Sequence, residues 1–331
     1  MLSARLGGAG PAVAVIGLGC MAMSGVYGPA EDAEGIATIR AALEAGITLL
    51  DTGDFYGAGH NELLLREALK GGRRGQAVIS LKFGPLRTPD GGFGGIDARP
   101  EALRNFLTYS LTRLGTDYVD IYRPARLDPA VPIEETVGAI SDLVRAGYVR
   151  HIGLSEVGPE TIRRAQAVHP ITDVQLEYSL MSRGIETAIL PLCRALGIAV
   201  TAYGVLSRGL IGGEIPQPAA GDIRAARMPR FQGENLRRNL ALVAALRRIA
   251  DRCGVSPAQL AIAWVLSRGT DIVALIGMRH RGRLPEALAA AELSLDTATL
   301  AEIEAAIPAE AVAGTRYDSA QMAHLDSEKP A

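Results

Sequence analysis

Eight short apolar runs rich in β-branched residues recur along this chain and alternate with segments whose apolar residues fall at helical spacing. The runs are Ala12 to Gly19, Ile47 to Asp51, Ala77 to Lys82, Tyr118 to Tyr122, Val149 to Ser155, Ile171 to Tyr178, Ile198 to Leu206 and Asp271 to Met278. Between them lie stretches such as EDAEGIATIRAALEAG, PEALRNFLTYSLTRLG and SPAQLAIAWVLSRG, which repeat apolar residues with the period of a helix. Several open at a cap residue or N1 proline, as at Ser256-Pro257, and stop at a glycine, as at Gly46, Gly115, Gly147 and Gly197. Near-continuous apolar strands are buried on both faces, as parallel strands are, and parallel strands need crossover connections. An open doubly wound sheet and a closed barrel both satisfy this. Eight units without a linker or composition break favour a (β/α)8 TIM barrel with its active site at the strand C-termini.

The expected organisation is a single barrel domain over residues 1–331, with a core at about 12–292 and a C-terminal extension at about 293–331. The tail from Ile307 is read as a peripheral cover or a partly mobile end. The segment 207–235, rich in Gly, Pro and Arg, is too long for an ordinary connection and is expected to bind something or to move.

Composition narrows the classes. With 48% apolar residues, 21% charged residues and a net charge of −2, the chain fits a soluble protein without a nucleic-acid or membrane-surface bias. Its three cysteines, Cys20, Cys193 and Cys253, are far apart and indicate neither a disulfide framework nor a zinc cluster. The early stretch GPAVAVIGLGCMAM is broken by glycines, lacks a basic leader and is too short to span a bilayer, so it reads as a first strand. A cytoplasmic protein acting on a small molecule is expected.

The polar residues at the strand ends carry the chemistry. LLDTGDFYG supplies Asp51 and Tyr56 after the second strand, and SLKFG supplies Lys82 at the third. A lysine ending an apolar strand needs a partner, because an isolated buried ammonium is costly, and the neighbouring strand offers a carboxylate. An Asp–Lys pair beside a tyrosine hydroxyl is expected to lower its pKa and make it a better general acid, with the three groups converging within hydrogen-bond reach. A plain buried salt bridge with a tyrosine packed over it has the same spacing. Ser155, Gln175 and Tyr203 follow on later strands, and GMRHRGR after the eighth gathers Arg279, Arg281 and Arg283, a group suited to a phosphate.

Six segments, GLGCMAMSGVYGP, LLDTGDFYGAGHNELLLREALKG, SLKFG, LVRAGYVRHIGLSE, QLEYSL and AYGVLSRGL, resemble the aldo-keto reductases, in order, from residue 12 to about 292. The resemblance implies a (β/α)8 barrel that uses NADPH without a metal and reduces a small carbonyl compound. It makes Tyr56 the proton donor, tuned by Asp51 and Lys82. It gives Ser155 and Gln175 the nicotinamide carboxamide, Tyr203 the nicotinamide face, and Leu206, Ser207, Gly209 and Leu210 the pyrophosphate. Arg279 is expected to meet the 2′-phosphate, Arg283 and Glu286 to lie by the adenosine, and Gly19, Cys20, Met21, Gly204 and Gly277 to border the cofactor.

One member of the family pattern is missing. The family has a histidine at the end of strand four, and aligning Arg126, Asp128, Pro129 and VPIEET puts Ala125 in its place. Losing such a donor costs about 10²–10³ in rate, which weakens carbonyl reduction without removing the Tyr56 proton. A reductase with an enlarged pocket is the first reading. Hydride transfer to an imine or activated double bond, or alcohol oxidation, is the second, and an NADPH-binding sensor or partner subunit is the third. Candidate replacement donors are His60, Arg123, Arg126 and Tyr27, whereas His151 and His169 read as structural and His280 as a neighbour of the adenosine. Gly53 for alanine, Glu156 for asparagine and Ala287 for asparagine are further departures; Glu156 puts one carboxamide contact in doubt, and Ala287 removes one adenine contact.

Overall fold

Eight parallel strands close into a ring in the computed structural model, which describes residues 2–212 and 222–329. The strands are β1 (Ile16–Gly19), β2 (Leu49–Gly53), β3 (Val78–Phe83), β4 (Val119–Pro124), β5 (Val149–Ser155), β6 (Ile171–Glu177), β7 (Ala199–Tyr203) and β8 (Ile272–Gly277). Each pairs with the next, and β8 returns to β1 through Gly277 opposite Gly19. Helices follow the strands and pack outside, so this is the (β/α)8 barrel expected of the eight apolar runs.

The first run divides in two. Ala12–Ala14 turns outward to pair antiparallel with Ser3–Arg5, and only Ile16–Gly19 enters the barrel. The seventh run ends at Tyr203 because Gly204, at φ +69°, takes a left-handed turn there. Two further elements are a hairpin after β3, formed by Pro85–Arg87 and Phe93–Ile96, and a 21-residue helix, Gly233–Cys253. Of the segment 207–235, residues 213–221 lie outside the described residues.

The barrel interior is not wholly apolar. Arg123 on β4 is fully buried and forks onto both oxygens of Asp173 on β6, at 2.9 and 3.0 Å. Thr201 donates to the same carboxylate at 2.6 Å. Gly153 makes this pair fit: a Cβ there would stand 2.9 Å from Arg123 Cζ and 3.0 Å from Asp173 Oδ1. A buried charge pair persists only where geometry and extra hydrogen bonds offset desolvation, and both partners have them here.

The C-terminal extension is anchored rather than loose. After the helix Thr297–Ala306, the chain crosses the C-terminal mouth of the barrel and buries Arg316, Tyr317 and Leu325. Asp326 accepts from Gly158 N at 2.8 Å and Thr161 Oγ1 at 2.7 Å. No helix among the described residues is long and apolar enough to cross a membrane.

Candidate active site

Strand register decides which side chains meet at the mouth. Asp51 lies opposite Ser80, Lys82 opposite Arg123, and Gln175 opposite Ser155. Asp51 therefore gathers three donors: Lys82 Nζ on Oδ1, and Ser80 Oγ at 2.9 Å and Gln175 Nε2 at 2.7 Å on Oδ2. Ser80 in turn accepts from Arg123 at 3.0 Å, which joins the Asp51–Lys82 pair to the Arg123–Asp173 pair below it. Arg123 is thus a strut of the interior, turned away from the role of replacement donor.

Tyr56 stands apart from this network. The Lys82 ammonium is 5.1 Å from its ring centroid, and its hydroxyl makes no hydrogen bond among the described residues. The expected lowering of its pKa does not occur. Burial and the Asp51 carboxylate push the phenol well above its ordinary value, while the Arg126 guanidinium pulls the other way. Burial also pushes Lys82 down, an effect that Asp51 opposes and Arg123 reinforces.

Around these residues opens a cavity of about 840 Å³. Gly19, Met21, Asp51, Tyr56, Lys82, Ala125, Ser155, Gln175 and Tyr203 border it, with Gly204, Leu206, Gly209, Gly277, Arg279, Arg283 and Glu286 extending it toward β8. Cys20, Ser207 and Leu210 do not: all three are buried behind the wall, and burial raises the Cys20 thiol far above its usual range. Ser155 Oγ and Gln175 Oε1 have no hydrogen-bond partner among the described residues.

Several departures find a physical reason. Gly53 has the Phe55 ring against it, and a Cβ would lie 3.0 Å from Phe55 Cε1. Glu156, left-handed at φ +54°, turns its carboxylate to Arg316 at 2.8 and 3.1 Å and to Ser327 Oγ at 2.5 Å. Burial alone would raise this carboxyl, but Arg316 more than reverses that and holds it well below the ordinary range. Arg316 also meets Glu177 at 3.3 Å. This clamp brings Tyr317, Asp318, Ala320, Gln321 and His324 into the cavity wall, none of which the sequence marked as site residues.

The candidate donors separate. His60 is tied to Ser24 at 3.0 Å and Asp32 at 3.0 Å, whereas Tyr27, Arg126 and His280 all border the cavity. Arg208 reaches Tyr27 Oη at 3.3 Å, the Arg224 guanidinium lies 5.1 Å over the same ring, and Arg279 donates to Tyr27 O and Pro29 O, each at 3.2 Å. The first loop and the described ends of segment 207–235 thus meet across the mouth.

Residues 15–308 match the family model for the aldo/keto reductase family. The chain belongs to the aldo/keto reductase family. It is 43% identical over 317 residues to "Probable aldo-keto reductase 1" of Glycine max, covering 95% of this chain and 91% of that protein. Among solved structures it resembles a glycerol dehydrogenase of Gluconobacter oxydans, at 29% identity and a TM-score of 0.82, over 93% of this chain and 96% of that one. It also resembles an aldo/keto reductase of Klebsiella pneumoniae in complex with NADP and acetate, at 26% identity and a TM-score of 0.74, over 96% and 99%. Family membership makes the chain an oxidoreductase by kind.

Proposed function

We propose that this chain reduces small carbonyl compounds with NADPH, Tyr56 giving the proton, and that Ala125 stands where the family carries a histidine. The observation that carries this reading is the half-buried Tyr56 hydroxyl, unpartnered among the described residues, beside the closed Asp51–Lys82 pair and at the edge of the cavity. Unpartnered Ser155 Oγ and Gln175 Oε1 offer a donor and an acceptor, which fits a carboxamide. Arg279 and Arg283 at the far end fit a phosphate. NADPH, when bound, supplies the hydride to the carbonyl carbon.

The residues of the chain do the rest. As the carbonyl oxygen gains charge it takes the proton from Tyr56 Oη. A phenol with a raised pKa keeps that proton at neutral pH, and it yields it once an alkoxide, a much stronger base, develops beside it. Arg126 lies near enough to stabilise the phenolate that remains, while Lys82 holds Asp51. Ser155 and Gln175 orient the ring, and Tyr203 forms its floor. The same steps in reverse oxidise an alcohol.

The test is a pair of measurements on three proteins. Tyr56→Phe is expected to lose aldehyde reduction by about 10²–10⁴, with an NADPH Kd within about twofold of wild type by fluorescence titration. Arg279→Ala is expected to lose about ten- to a hundredfold in preference for NADPH over NADH, the worth of a charge-assisted contact. Undiminished turnover in Tyr56→Phe assigns the proton to another group.

A further inference from the structure

Arg126, like the half-buried Arg279, lines the cavity without a carboxylate partner among the described residues, whereas other arginines at and beneath the mouth are paired. Arg208 pairs with Glu177 at 2.9 Å, Arg224 with Asp222, Arg316 with Glu156 at 2.8 Å, and Arg123 with Asp173 at 2.9 Å. Arg126 is half-buried in the cavity wall, yet among the described residues no carboxylate lies within ion-pair distance of it. Its one hydrogen bond runs from Nη1 to the Ala125 carbonyl, at 2.6 Å, and its guanidinium lies 5.9 Å from the Tyr317 ring. Glu156, the nearest carboxylate in electrostatic terms, is already held by Arg316 and Ser327.

A guanidinium carries five donors in a planar fork matched to a carboxylate, and here only one of them is used among the described residues. Ala125, directly before it, contributes only a methyl group to the same wall. Phe55, Tyr56, Phe93 and Tyr317 give the surroundings a planar, largely apolar character. β4, which leads into Arg126, and β8, which leads into Arg279 and Arg283, stand on opposite sides of the eight-strand ring. The chain thus has a cation on the side away from the proposed phosphate end.

We infer that Arg126 is a specificity-determining residue that binds a carboxylate on the substrate, so that the preferred substrates are aldehydes or ketones bearing an acid group within reach of the reacting carbonyl. This rests on the carbonyl-reductase reading. The contact fixes the substrate from its acid end and leaves Tyr56 to receive the carbonyl, so orientation no longer depends on an imidazole. A neutral substrate has no partner for the fork and leaves a half-buried cation unpaired.

The experiment compares 4-carboxybenzaldehyde with 4-carbamoylbenzaldehyde, nearly the same shape and different in charge, on wild type, Arg126→Gln and Arg126→Lys. Wild type is expected to favour the acid by about ten- to a hundredfold in kcat/KM, a ratio that falls to near one in Arg126→Gln and is partly kept by Arg126→Lys. A wild-type ratio near one, or the same ratio in Arg126→Gln, overturns the assignment. If neither compound turns over, calorimetry of benzoate and benzamide on the NADP-bound proteins decides. Benzoate bound by wild type and lost in Arg126→Gln keeps the carboxylate site and rejects the reductase reading. Benzoate bound equally by both, or by neither, overturns the site.

Discussion

Arg316→Ala should release the C-terminal arm from the barrel mouth. The Arg316 guanidinium lies between three carboxylates: Glu156 at 2.8 Å, Glu177 at 3.3 Å and Glu328 at 2.7 Å. Glu177 survives its loss, because Arg208 at 2.9 Å, Arg230 at 3.6 Å and Ser182 Oγ at 2.9 Å remain. Glu156 does not. Its carboxylate is wholly buried and keeps only Ser327 Oγ and the Glu177 amide. Removing one partner of a buried pair costs about 3–5 kcal/mol, and the arm can avoid most of that by opening to let water reach Glu156.

The open form should therefore gain population by about 10²–10³. Opening withdraws Tyr317 and His324 from the cavity wall, so KM should rise by at least about fivefold for substrate and less for NADPH. Chymotrypsin should cut after Tyr317 or Leu325, and arm amides should exchange faster. Glu156→Gln with Arg316→Met, which removes both charges, should recover much of the protection, since an apolar replacement of a buried pair is often neutral. An arm in Arg316→Ala as protected as in wild type, with unchanged KM, refutes the clamp.

Two further perturbations probe the ground beneath the site. Burial and the neighbouring Glu62 raise the Asp54 carboxyl to about 7, against Arg113. The folded state then holds that proton more tightly than the unfolded chain does, so stability falls as pH climbs from about 4 to 7, and the whole penalty, at most about 4 kcal/mol, is present above 7. Asp54→Asn should raise Tm more at pH 8.5 than at pH 5, and an equal gain at both refutes it. Ala125→His should speed reduction of small neutral aldehydes by up to about 10²–10³, by adding a donor to the developing oxyanion, while slowing substrates that fill the space over Ala125. Unchanged rates on small aldehydes across the pair would mean that the methyl does not face the reacting oxygen.

What was legible in the sequence is what local pattern encodes. Strands β1 to β8 announce themselves because burial on both faces leaves apolar runs, and β2 with Asp51 and β3 with Lys82 follow from one lysine's need for a counter-ion. Arg123 reads as a candidate donor because an arginine buried in an ion pair looks, in sequence, like one that faces a pocket. Its partner Asp173 lies 50 positions away, beyond any periodicity. Arg316 is the stronger case, since Glu156 is 160 positions distant and the tail around it has no apolar repeat. The hairpin Pro85–Arg87 with Phe93–Ile96 hid in a glycine-rich stretch that reads as loop.

The register that closes the barrel also fixes the electrostatics of its mouth. Because Asp51 faces Ser80 and Lys82 faces Arg123 across one strand, both oxygens of Asp51 are consumed by Lys82, Ser80 and Gln175. The Lys82 charge is thus spent on Asp51, and the Arg123 charge on Asp173. The Asp51 carboxylate, although paired, still acts on the phenol of Tyr56 from below, and together with burial it keeps that phenol protonated. The cation that opposes this comes from above, on Arg126, the residue after Ala125. If Tyr56 is the proton donor, as proposed, a phenol kept protonated from below and a cation from above make a pocket in which the charge of the substrate, and not an imidazole, would complete the site.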